Sequence, residues 1–186
     1  MSIRPEICGF NLQKFLSIFG SKNEALLKER LEQDKHDVLA YRISSKKDTL
    51  TKLIMTNEAD LAAIEESDPD LIKSFIADQE DILTTDSSIW RYYHMEYFEQ
   101  LVSKLSPEMR KLFEFFIYGR MFFQSDAWTT SELPYSYLTL DEVKIILVDM
   151  DQQWDIYDDA EGFGKELKTW LTSISEKNLD LFFDQG

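Results

Sequence analysis

Cysteine occurs once in the 186 residues, at Cys8, so neither an internal disulfide nor a multi-cysteine zinc site is available. Glycine (6) and proline (4) are too scarce for a low-complexity chain, and 13% aromatic residues are too many for a disordered one. Histidine is limited to His36 and His94, neither in an H-E-x-x-H pattern, so a Ser-His-Asp or Cys-His group would have to use one of them. Neither a phosphate loop of the G-x-x-x-x-G-K-[ST] kind nor a G-x-G-x-x-G fingerprint occurs; Gly162-Phe163-Gly164 lacks the third glycine and a preceding strand. No stretch approaches about 18 uncharged apolar residues, and the opening MSIRPEICGF lacks a basic segment followed by an apolar one. The expectation is a soluble, cytoplasmic protein. Positive charge is also short, 20 Lys+Arg against 35 Asp+Glu, and a net −15 opposes nonspecific binding to nucleic acid or to an anionic membrane.

A chain of this length buries roughly 70% of its unfolded surface, enough for one sizeable core without staples. No internal repeat or Ser/Gly/Pro linker divides it, so residues 1–186 read as a single globular domain. Ile3, Ile7 and Phe10 around Pro5 and Gly9 suit an extended start. Asn11 caps a short helix carrying Leu12, Phe15, Leu16 and Phe19, with Gly20 at its left-handed end. Ser21 and Glu24 form a capping box for a helix that shows Leu26, Leu27 and Leu31. Residues 37–43 read as a strand or another helical turn, and Lys46-Lys47-Asp48 as a solvated bend. Leu61 and Ile64 share a helical face, and Pro69 restarts a helix lined by Leu71, Ile72, Phe75, Ile76 and Ile82. A helix over about 88–105 follows. The next begins at Ser106-Pro107 and shows Leu112, Phe113, Phe116, Ile117 and Phe123; Phe115, Tyr118 and Phe122 make its other side apolar, so it reads as the central buried helix. Residues 124–137 read as a loop. Thr139 and Glu142 open another helix with a second capping box, and Phe163, Leu167, Trp170, Leu171 and Ile174 mark a last one. Leu179–Phe183 reads as a terminal strand or docked tail. The fold class expected is mainly α with minor strands, seven or eight helices around an aromatic-rich core.

Three segments, Gly20-Ser21-Lys22-Asn23-Glu24-Ala25, Leu138-Thr139-Leu140-Asp141-Glu142-Val143 and Glu166–Leu171 through Phe182-Phe183, together resemble a family of small bacterial domains of uncharacterised function, some of them immunity-like proteins of toxin systems. The resemblance implies a toxin-neutralising neighbourhood and supplies no catalytic residue.

The most distinctive chemistry is acidic. Asp149, Asp151, Asp155, Asp158, Asp159 and Glu161 lie within 13 residues, and neither Lys nor Arg occurs from 145 to 164. An EF-hand starting at Asp155 would place Asp159 fifth and Glu166 twelfth, but Tyr157 stands third and Ala160 sixth, where an oxygen ligand and a turn-making glycine belong; one starting at Asp151 ends on Gly162. No metal and no cofactor is expected. Residues 1–60 hold 10 Lys+Arg against 9 Asp+Glu, so the charge is concentrated beyond them. Trp154 and Tyr157 stand among the carboxylates, and Trp128 and Tyr135 lie in the loop before them. Aromatic anchors beside steering carboxylates are what a surface needs to hold a basic protein. The opposing reading is that Trp154 packs the core. Cys8 reads as a buried thiol and His94 as a packed histidine, with a general base beside Tyr93 or Glu96 as the alternative. The expectation is a non-enzymatic protein that binds and neutralises a basic partner, such as a toxin effector, through Asp149, Asp151, Trp154, Asp155, Tyr157, Asp158, Asp159, Glu161, Trp128 and Tyr135. The alternatives are a small enzyme using carboxylate acid/base chemistry in an aromatic-lined cleft, and a DNA-mimicking or adaptor protein.

Overall fold

The structure is a computed structural model that describes residues 6–33, 40–57, 59–76, 83–84, 94–124 and 135–184. In chain order the elements are β1 (Glu6–Phe10), α1 (Leu12–Ile18), α2 (Glu24–Gln33), α3 (Ala40–Met55), α4 (Leu61–Ser67), α5 (Pro69–Ser74), β2 (Leu83–Thr84), α6 (His94–Val102), α7 (Pro107–Tyr118), β3 (Tyr135–Leu138), α8 (Leu140–Gln152), α9 (Trp154–Tyr157), α10 (Phe163–Glu176) and β4 (Asp180–Asp184). The chain is mainly α with a small antiparallel sheet in the order β2-β1-β4-β3. Ten helices among the described residues exceed the seven or eight expected.

The sheet separates two apolar layers. Strand side chains alternate between faces, and the register sets Ile7 and Ser136 opposite Phe183, and Cys8 and Tyr137 opposite Phe182. Ile7, Leu138, Leu181 and Phe183 pack with residues of α6–α10, whereas Cys8, Phe10, Tyr135, Tyr137 and Phe182 pack with residues of α1, α3 and α5. β4 is therefore apolar on both faces, which explains why Leu181-Phe182-Phe183 reads as an unbroken run rather than an alternation. Cys8 is a buried thiol. Phe116 is fully buried, stacked on Phe98 at 4.7 Å and edge-on to Phe183 at 5.4 Å, so α7 is central as its composition implies.

Local signals held where the chemistry is local. Asn11 Oδ1 accepts from Lys14 N at 2.8 Å, and Thr139 and Glu142 form the reciprocal capping box. Elsewhere the boundaries moved. α2 is capped by Asn23, whose Oδ1 accepts from Leu26 N at 3.0 Å, and not by Ser21. Residues 40–55 form one helix, because no Gly or Pro interrupts them and the expected bend at Lys47-Asp48 lies on the solvent side. α7 stops at Tyr118, short of Phe123, because Gly119 takes φ 75°, ψ 172°, a conformation essentially reserved for glycine. Residues 135–137, expected as the end of a loop, form β3 with Leu138 and pair with β4.

Three carboxylates, Asp180 and Glu142 half-buried and Glu65 buried, fix the elements against one another. Asp180 at the start of β4 accepts from Leu12 N and Leu140 N, both at 2.9 Å, satisfying orphan amides at the N-termini of α1 and α8 with one side chain. Glu142 holds Arg120 at 2.8 Å, and that guanidinium lies between the Phe115 and Tyr137 rings, 4.5 and 4.4 Å from their centroids. Glu65 on α4 is buried and accepts from Phe122 N at 2.7 Å, Phe123 N at 2.9 Å and the Tyr135 hydroxyl. Burial pushes its carboxyl above the ordinary value, against the opposing pull of those three donors.

Candidate functional site

The acidic stretch begins in the last turn of α8, passes through α9 and turns into α10. Its carboxylates divide by what their surroundings demand. Asp149 is half-buried and accepts from the Tyr157 hydroxyl and from Gln153 Nε2 at 2.8 Å. Asp159 is half-buried too, with Oδ1 accepting from Gly164 N at 2.9 Å and Oδ2 from Glu161 N at 3.1 Å. It thereby caps α10, whose preceding residue Gly162 has no side chain to do so. Asp151, Asp155, Asp158 and Glu161 are exposed. Asp151 contacts Lys168 Nζ at 2.6 Å, an open pair of little energetic weight.

The aromatic residues take other places than expected. Tyr157 is fully buried against Phe113, its hydroxyl held by Asp149, so it serves the core and not a partner. Burial, then the hydrogen bond to Asp149, pushes its phenol well up. Tyr135 is 1% exposed and belongs to the opposite side of the sheet, bonded to Glu65. It cannot be contiguous with the acidic stretch, because strand alternation turns it towards the α1–α5 layer. Trp154 is half-buried against the α6–α10 core, with Lys168 Nζ 5.0 Å from its ring centroid. Trp128 lies outside the described residues, and His94 opens α6 with a side chain that is not described.

A partner element that sequence spacing does not reveal is α6. It brings Glu96, Tyr97 and Gln100 against Asp159, Ala160, Glu161 and Phe163 to line an open cleft of about 230 Å³. The Tyr97 and Phe163 rings are 5.9 Å apart, and the Tyr97 hydroxyl donates to the Tyr157 carbonyl at 3.1 Å. The Tyr97 phenol is pushed up first by burial and then by the negative fields of Asp159 and Asp158. The close approach of α9 to α10 requires Gly164, where a Cβ would stand 1.9 Å from the Tyr157 carbonyl oxygen. The cleft is thus an aromatic floor rimmed by three carboxylates, with no cation among the described residues that line it. Such a floor has the chemistry to take the apolar stem and face of a Lys or Arg side chain, with its head against the rim. Among the described residues no group of three potential ligands converges as a metal site would require, and no helix is long and apolar enough to cross a membrane. Comparison with family models, with curated proteins and with solved structures finds no match to this chain.

Proposed function

We propose that this is a cytoplasmic interaction protein that binds a basic protein partner through the face formed by the α6–α10 cleft and the exposed carboxylates Asp151, Asp155, Asp158 and Glu161. The observation that carries the reading is the cleft itself, where Glu96, Asp159 and Glu161 surround Tyr97 and Phe163 with no Lys or Arg among the described lining residues. Charge of one sign over a partly apolar floor steers a cationic partner and then holds it, with association up to about 10⁸–10⁹ M⁻¹s⁻¹ at low salt. Acid/base catalysis fits less well, because Asp159 has both oxygens engaged by backbone amides. A toxin effector with a cationic, phosphate-binding active site is a partner class that such a face would neutralise by covering it. The test uses a lysine-rich peptide without apolar residues as probe. Glu96→Gln with Asp158→Asn and Glu161→Gln should slow its association severalfold, an effect that fades as salt rises beyond the ~10 Å screening length of 0.1 M. A charge-matched control, Glu29→Gln with Glu108→Gln and Glu176→Gln, should have a much smaller effect. Equal losses in the two variants would reduce the result to net charge and sink the assignment.

A further inference from the structure

Beside the acidic stretch, one cation is already seated. The last turn of α8, the start of α9 and the second turn of α10 each contribute one group: the Asp151 carboxylate, the Trp154 ring and the Lys168 ammonium. Lys168 Nζ lies 2.6 Å from Asp151 Oδ1 and 5.0 Å from the centroid of the Trp154 ring. The ring is positioned by the core, because Trp154 is half-buried and packs against the α6–α10 cluster. The other two groups are open to water, with side chains exposed to 34% for Lys168 and 67% for Asp151. The face of an indole attracts a cation through its quadrupole, and a carboxylate at the edge supplies opposite charge. A fixed ring and a carboxylate together make a receptor for one cationic side chain, and here the chain's own lysine fills it. Neither an open ion pair nor an exposed cation–π contact holds a lysine firmly, so the occupant can be exchanged.

We infer that Asp151 and Trp154 form a receptor for one arginine side chain of the basic partner, with Lys168 as its internal, displaceable occupant. The seated ammonium shows that a cation fits between ring and carboxylate. Asp149 and Asp159 cannot serve in this way, because their donors are a buried phenol and backbone amides fixed by the fold. Asp151 is paired only to a side chain that can swing back into water. The occupant also decides between lysine and arginine. A partner's lysine would merely repeat the contacts Lys168 already makes, and Lys168 is tethered beside them. A guanidinium is planar, more weakly hydrated, stacks flat on an indole and forks two N–H groups onto a carboxylate. The same fold holds its own Arg120 in this way, against the Phe115 and Tyr137 rings and on Glu142. Lys168 therefore acts as a competitor that arginine overcomes and lysine does not. The inference rests on the reading of the protein as a binder of basic partners and adds to it a preference for arginine at a named position.

The probes are an arginine-rich and a lysine-rich peptide of equal length and charge, both without apolar residues. The arginine peptide should bind about fivefold tighter, measured by calorimetry at low salt, and should shift the indole N–H resonance of Trp154 where the lysine peptide does not. Lys168→Gln should tighten binding of the lysine peptide severalfold more than Lys165→Gln does, since both remove one charge from α10 and only the first empties the receptor. Trp154→Leu should erase the arginine preference; the indole resonance of the unaltered protein reads the same contact should that variant fail to fold. Equal effects of Lys168→Gln and Lys165→Gln, or an indole resonance unmoved by bound arginine peptide, would overturn the receptor and leave the acidic-binder reading standing. Equal binding of the two peptides would overturn the arginine assignment. Failure of both peptides to bind at low salt would overturn this inference and the acidic-binder reading together.

Discussion

Glu65 is a carboxyl inside an aromatic layer, and its removal can be worked through from the contacts it makes. Glu65→Ala leaves Phe122 N, Phe123 N and the Tyr135 hydroxyl without their acceptor in a site that is 1% exposed. Each abandoned buried donor costs about 1–3 kcal/mol, moderated where water enters the space vacated, so a loss of about 3–5 kcal/mol is expected. That is a large part of the 5–15 kcal/mol typical of a whole domain. Tyr135→Phe removes one of three donors and should cost about 1–2 kcal/mol. The double variant should cost less than the sum of the two, because the shared bond is counted twice. Urea unfolding followed by circular dichroism, with unchanged denaturant slope, measures all three. Glu65→Gln adds the electrostatic part. Burial raises the Glu65 carboxyl above its ordinary value near 4.5, so the folded state favours the protonated form. The contribution of that form is fully present below the unfolded value and is lost as pH rises through the folded one. The advantage of the wild type over Glu65→Gln should therefore be greatest near pH 4 and shrink towards neutrality. A cost below about 1 kcal/mol for Glu65→Ala, or an advantage that grows with pH, would refute the reasoning.

Phe116→Ala should destabilise by about 3–5 kcal/mol in the same assay, through lost transfer energy and the cavity left among Phe98, Phe113 and Phe183. Gly164→Ala should cost at least about 2 kcal/mol, since the added carbon meets backbone and not a movable side chain; a neutral outcome would mean α9 shifts freely against α10. Arg120→Lys should cost about 1–2 kcal/mol although charge is kept, because an ammonium cannot both stack between Phe115 and Tyr137 and chelate Glu142; thermal unfolding as good as wild type would deny the sandwich its role.

What was legible in the sequence was what is decided within a few residues. Asn11, Ser106 and Thr139 announce helix starts because each side chain bonds an amide three positions on. The central place of α7 was legible from its two apolar sides. β3 was not: all four of its residues are buried, so no alternation marks it, and its partner β4 lies some forty positions away. Glu65 left a trace that could have been used, since it follows Leu61 by four and Ile64 by one, on the inward face of α4. The acidic stretch was visible as charge, but Glu96, which completes the cleft, is far from Asp159 in the chain and came into view only through the packing of α6 beside the α9–α10 turn.

The carboxylates of this chain do two kinds of work, and the division decides what a partner can use. Asp60 and Asp68 cap α4 and the start of α5, Asp180 caps α1 and α8, Asp159 caps α10, Glu142 closes a capping box and holds Arg120, and Glu65 and Asp149 hold buried tyrosines. These acids already meet donors whose positions are fixed by the backbone or core. A cationic partner would have to compete with bonds that were formed on folding, and neutralising these residues would change stability first. Asp151, Asp155, Asp158 and Glu161 face water, where six like charges within 13 residues repel one another and a cation relieves the repulsion. Stability and partner affinity should therefore respond to different halves of one acidic segment. Substitutions at Asp149 and Asp159 should act through the fold, and, if the proposed basic partner binds here, those at Asp155, Asp158 and Glu161 should act through the rate of encounter.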